Sequence, residues 1–151
     1  MEKIFDTFEF DGAWFGEMKL NFAGKDYEIE IQIDGYDEDE MPEDGKAALV
    51  SFVENMDEAL PAIKDSLFEY YHERKKEYGY DENDEEYPDY ETFEQVLETL
   101  ELLQITVPDQ EDYSERAIGL VFDCGWDEEE GVGICLLGNE VDEIGIQGIA
   151  L

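Results

Sequence analysis

Basic residues are scarce in this chain: 151 residues carry 9 Lys+Arg against 44 Asp+Glu, a formal net charge of −35. A surface with so few cations repels phosphate backbones and anionic headgroups through its summed field, so nucleic acid is excluded as a direct ligand. Cysteine is limited to Cys124 and Cys135, too few for a secreted disulfide framework. Reduced thiols are expected. No apolar run reaches the roughly 18 residues that a membrane helix needs, and Met1-Glu2-Lys3-Ile4-Phe5-Asp6 lacks the basic-then-apolar order of a leader, so no membrane contact and a cytoplasmic location are expected. What is present is core material. Hydrophobic residues make up 42% and aromatics 13%, enough for a single folded domain spanning 1–151.

The apolar pattern changes period twice. Trp14, Gly16, Met18, Leu20 and Phe22 alternate, as do Tyr27, Ile29, Ile31 and Ile33 against Glu28, Glu30 and Gln32. These are two half-buried strands joined by Ala23-Gly24-Lys25, and Asp11-Gly12 predicts a hairpin to an earlier strand over Ile4 to Phe10. In the middle, Leu49, Phe52, Val53, Met56 and Leu60 step by three and four. A second helical stripe follows Pro61 through Ile63, Leu67, Tyr70 and Tyr71, and a third runs from Phe93 to Leu103 after Thr92. Strands return at Ile105–Val107, Ala117–Cys124, Val132–Leu137 and Val141–Leu151, the second of them apolar at both parities, as expected for a strand covered on both faces or sitting centrally. Strands, then about three helices, then strands predict an α+β domain. Its helices pack on one face of a mostly antiparallel sheet, and the absence of strand–helix–strand alternation predicts no parallel pairing.

The acids cluster in predicted connections. Residues 34–44, 77–91, 109–115 and 127–130 hold seven, eight, four and four of them, with no Lys or Arg in any window. Tyr36, Tyr78, Tyr80, Tyr87, Tyr90 and Tyr113 lie in or beside these windows, and aromatics among carboxylates are the mix that anchors protein interfaces. A solvated, solubilising coat is the competing reading. No calcium loop is present: an EF-hand begun at Asp81 puts Glu86 where the turn needs Gly, and one begun at Asp37 puts Pro42 there.

Catalytic patterns are equally sparse. The one histidine, His72, stands beside Arg74, Lys75 and Lys76, which suits a helix C-terminus better than a general base. None of Ser51, Ser66 and Ser114 sits in a Gly-x-Ser-x-Gly elbow, and the two cysteines lack histidine company for zinc. No metal, cofactor or catalytic residue is assigned. Gly131-Val132-Gly133 lacks the third glycine or the lysine of a nucleotide loop and reads as a tight strand entry. Paired carboxylates of an acid/base hydrolase stay open, since such a role depends on an apolar pocket around them.

The most individual segment runs from Phe122 to Ile134, a strand, an acidic reversal around Trp126 and Asp127, and a second strand entered through Gly131 and Gly133. Here the chain resembles a group of small bacterial domains of unknown function that share a carboxy-terminal Trp-Asp-x-Glu-x-Gly-x-Gly turn, a Trp-x-Gly strand (Trp14-Phe15-Gly16) and a central Tyr-Tyr helix (Tyr70-Tyr71). Glu130 stands where that group often carries His. Similar domains occur among proteins proposed to protect bacteria from polymorphic or contact-delivered toxins. The resemblance therefore implies a non-catalytic antagonist that occludes a basic, nuclease-like toxin. Tyr36, Asp37, Asp39, Tyr80, Glu82, Asp84 and Glu85 are the residues expected to meet that partner. A housekeeping or scaffold domain with solubilising charge is the alternative, and a hydrolase the more distant one.

Overall fold

The computed structural model describes residues 2–35, 39–77, 92–124, 131–145 and 147–150. Seven strands form one sheet in sequential order: β1 (Glu9–Phe10), β2 (Trp14–Phe22), β3 (Lys25–Ile33), β4 (Leu100–Val107), β5 (Ala117–Cys124), β6 (Val132–Leu137) and β7 (Glu140–Gly145). Between β3 and β4 run the helices α1 (Glu43–Glu54), α2 (Met56–Glu77) and α3 (Phe93–Leu97). The α+β reading holds, and β5 is an interior strand paired on both sides.

One pairing differs from expectation: β3 and β4 are parallel, with Ile31 beside Ile105 and Ile33 beside Val107. A parallel neighbour needs a crossover of a dozen or more residues, and the whole helical segment serves as that single crossover. The other five pairings are antiparallel.

Directly paired residues share a face, so the register defines the core. Ile29, Ile31, Ile33, Leu102, Ile105, Val107, Leu120, Phe122, Val132 and Ile134 all point to the helical side and are buried. Gly45, Ala48, Leu49 and Phe52 of α1 meet them at steps of three, one and three, and Ala59, Ile63, Leu67 and Tyr71 of α2 repeat every fourth residue. Burying one such side chain is worth about 1.5–3 kcal/mol. Arg116 ties the layers together. Its guanidinium donates to Ser51 Oγ of α1 at 2.9 Å, to Asn139 Oδ1 at 2.7 Å and to the Gly138 carbonyl, and lies 5.9 Å from the Phe52 ring centroid.

Several boundaries fall elsewhere than the spacing suggests. α1 stops at Asn55, whose side chain and backbone N–H both donate to Ser51 O, so Met56 and Leu60 belong to α2 and Pro61 lies inside that helix. α3 opens with a Thr92–Gln95 capping box and lasts five residues. Leu100 fits either period, but Leu102 and not Leu103 is buried with it across exposed Glu101, so this run is strand. The predicted first strand is mostly a 3-10 turn, Glu2–Thr7, after which Phe8 lies so close to Gly16 that a Cβ there would stand 2.1 Å from its ring. His72 lies within α2 and not in its last turn, edge-on to Phe68 at 4.6 Å and Tyr71 at 5.4 Å. The chain after β7 bends into a 3-10 turn, Gln147–Ala150, instead of continuing as strand.

Candidate protein-binding face

The alternation that buries the isoleucines of β3 turns Glu28 and Glu30 outward, away from the helices, and both are exposed. Register places Glu17 directly opposite Glu30 and Lys19 opposite Glu28. On the neighbouring strands Glu101 is directly opposite Asp123. Two like-charged cross-strand pairs therefore occupy one sheet face. Like charges in this position destabilise a sheet, by roughly 0.2–1 kcal/mol per pair. The cation on this face among the described residues is Lys19, whose Nζ lies 3.8 Å from Glu28 Oε1. Both of those side chains are more than four-fifths exposed, so the pair is largely screened by solvent.

Toward β5–β7 the same face becomes small and apolar, and the turn Gln147–Ala150 folds over it. A Cβ on Gly119 would stand 2.1 Å from Thr106 Oγ1 and 3.0 Å from Ala150 O, so glycine is what lets the turn approach. Two hydrogen bonds hold it: the Thr106 hydroxyl donates to Ala150 O at 2.6 Å, and the Cys135 thiol donates to Ile149 O at 3.2 Å. Burial, with Glu143 and Asp142 nearby, pushes the Cys135 thiol above its ordinary 9.0, which keeps it protonated and a poor nucleophile at neutral pH.

Beside that turn lies a cleft of about 120 Å³ whose lining includes Asp34, Tyr113, Ala117, Gly119, Asp142 and Ile149. That volume is well below the roughly 300–1,000 Å³ of drug-sized sites. Asp34 is held just past β3 by its N–H bond to Val107 O at 2.9 Å. Tyr113 is placed by the 3-10 turn Gln110–Asp112, which Asp109 caps by accepting the Glu111 N–H at 3.1 Å. Gln110 clamps this turn to β5, donating to Ala117 O at 2.9 Å and accepting from Ala117 N at 2.8 Å. Tyr113 is left 44% exposed at the cleft, unlike almost every other large hydrophobic among the described residues.

Of the residues expected to meet a partner, Tyr36, Asp37, Tyr80, Glu82, Asp84 and Glu85 lie outside the described residues, as do Trp126 and Asp127. Asp39 is exposed in the turn between β3 and α1. Gly131 has φ +60° just before β6, and Gly133 pairs with both Val121 and Gly145. Glu17, Glu101, Asp123 and Asp142 were not singled out by sequence reasoning. Alternation marked Glu28 and Glu30 as outward, but only register shows which acids stand opposite each other.

The family described as "Domain of unknown function (DUF6985)" matches residues 4–151, and the chain belongs to it. No curated protein and no solved structure matches the chain significantly. Among the described residues, no helix is long and apolar enough to cross a membrane, and no group of three or more His, Cys, Asp and Glu is placed to hold a metal ion.

Proposed function

We propose that this domain is a non-catalytic binding protein whose open sheet face receives a cationic protein. The observation that carries this is the directly opposed like charges, Glu17 with Glu30 and Glu101 with Asp123, on strands whose other face packs toward the helices. Solubility alone is served by acids in loops, where they cost nothing in pairing. Acids opposed across strands reduce stability, and a cationic partner would relieve that repulsion on binding. The finer reading, suggested by the family resemblance, is a bacterial toxin antagonist that covers a basic active site with carboxylates in place of substrate phosphates.

Asp34 and Asp142 also bear on the hydrolase alternative. Both line the small cleft, and both are exposed. The acid of a catalytic carboxylate pair sits among apolar walls, so this exposed arrangement favours binding. The test is association kinetics with a basic protein of nuclease size across ionic strength. The expected result is an association rate that falls at least tenfold from about 10 mM to 150 mM salt, and that drops again in Glu17→Lys/Glu30→Lys. Salt-independent association refutes the mechanism.

A further inference from the structure

The long β2–β3 hairpin has an edge that the rest of the fold leaves open. β1 pairs with β2 only at Trp14 and Phe15, and Phe8 closes over Gly16. The two-residue turn Ala23-Gly24 makes its flanking pair, Phe22 with Lys25, a hydrogen-bonded one, and such pairs alternate along an antiparallel ladder. Leu20 and Met18 therefore bond β3 as well, while Asn21, Lys19 and Glu17 aim their N–H and C=O groups the other way. Among the described residues nothing pairs with those groups, and all three residues are exposed. A recess of about 450 Å³ lies along the same stretch, lined by Lys19, Leu20, Asn21, Asp26, Tyr27 and Glu28.

An unpaired edge is a template for another strand, and here the charges say which one. Register fixes three rows across the hairpin: Glu30 with Glu17, Glu28 with Lys19, and Asp26 with Asn21. An added strand extends each row by one residue. A cation beside Glu17 relieves its repulsion with Glu30, a cation beside Asn21 meets the Asp26 row, and Lys19 rejects a cation between them. On the helical side Leu20 and Phe22 are buried and Met18 is half-buried, so the alternate positions suit apolar residues. A second copy of this chain is the poorer occupant, since it brings a charge of −35 against −35.

We infer that the Glu17–Phe22 edge of β2 receives an antiparallel strand of the cationic partner, apolar at every second position, with Lys or Arg opposite Glu17 and Asn21 and no cation opposite Lys19. The inference rests on the cationic-partner reading and states how that partner is held: by a backbone ladder whose register the charges select.

The probe is the blocked peptide Val-Lys-Val-Glu-Val-Lys, whose last lysine faces Glu17 when its first valine faces Phe22, titrated into the intact protein at low salt and followed by amide shifts. Two isomers differ from each other only in where one methyl group sits. N-methylation of the glutamate removes an N–H aimed at β2, and N-methylation of the valine before it removes one aimed at solvent. The valine isomer is expected to bind as the parent does and to shift Glu17, Lys19 and Asn21. The glutamate isomer should bind at least tenfold more weakly, and so should Val-Val-Lys-Glu-Lys-Val, which has the same composition and charge without the alternation. Equal affinities, or a preference for the glutamate isomer, overturn the added strand and leave capture by charge standing. Binding of none of the peptides also overturns it, and the salt dependence of association with an intact basic protein then judges the broader reading separately. Shifts at Glu17, Lys19 and Asn21 that follow protein concentration without peptide give the edge to a second copy and overturn the inference as well.

Discussion

Replacing Glu30 by lysine should make the domain more stable. Glu30 faces Glu17 across β2 and β3, so Glu30→Lys removes a repulsive pair and creates an attractive one at the same position. Each change is worth about 0.2–1 kcal/mol, and two unit charges about 5.5 Å apart in water interact by about 0.75 kcal/mol, in agreement. Lys19, two residues along β2, opposes part of the gain. A net stabilisation of about 1 kcal/mol is expected near 10 mM salt, which is about 2–4 °C in Tm for a chain of this length. In urea it appears as a higher midpoint with an unchanged slope. At 1 M salt the screening length is about 3 Å and most of the gain should vanish. The same substitution should slow association with a cationic protein. A Glu30→Lys variant that is unchanged or less stable at low salt would refute the claim that this face is held in a repulsive arrangement.

Other expectations follow from particular contacts. Arg116→Met removes charged hydrogen bonds to Ser51, Gly138 and Asn139 and should lower stability by about 2–3 kcal/mol in urea unfolding. Ala23 sits in the β2–β3 turn at φ +53° before Gly24 at +87°, so Ala23→Asn, which tolerates that conformation, should stabilise by about 0.5–1 kcal/mol in thermal melts. Burial raises Tyr27 above 10.0, with Glu101 adding to it, and Cys135 above 9.0. The unfolded chain loses these protons first, so their contribution is complete below about pH 9 and is lost as pH rises through the folded values. Urea midpoints should therefore fall between pH 9 and 11. Alkylation of Cys135 by iodoacetamide should be slow at pH 8 compared with the unfolded chain.

Much of the fold was legible because burial and periodicity coincide: Ile29, Ile31 and Ile33 alternate with acids, and Ala59, Ile63 and Leu67 step by four. Where a run satisfies both periods, with Leu97, Leu100 and Leu103 at helical steps and Leu100 and Leu102 at strand steps, local pattern cannot choose, and pairing with β5 decides. The parallel β3–β4 contact was illegible for a related reason. Nothing in either strand marks its partner, and the crossover is spread over three helices. At the candidate face, the outward acids of β3 were visible as alternation, whereas the opposed pairs and the bulge at Asp142 exist only in the register. Tyr113 was visible as an aromatic among acids, but its position at the cleft depends on the Gln110 clamp.

Hydrogen exchange on a complex with a basic protein tests the central claim most directly, because it reports which side of the sheet is covered. Slowed exchange is expected at β2, at Tyr113 and at the turn Gln147–Ala150, with α1 and α2 unaffected. Protection confined to α1 and α2, or absent from both sides in a saturated complex, would contradict the account.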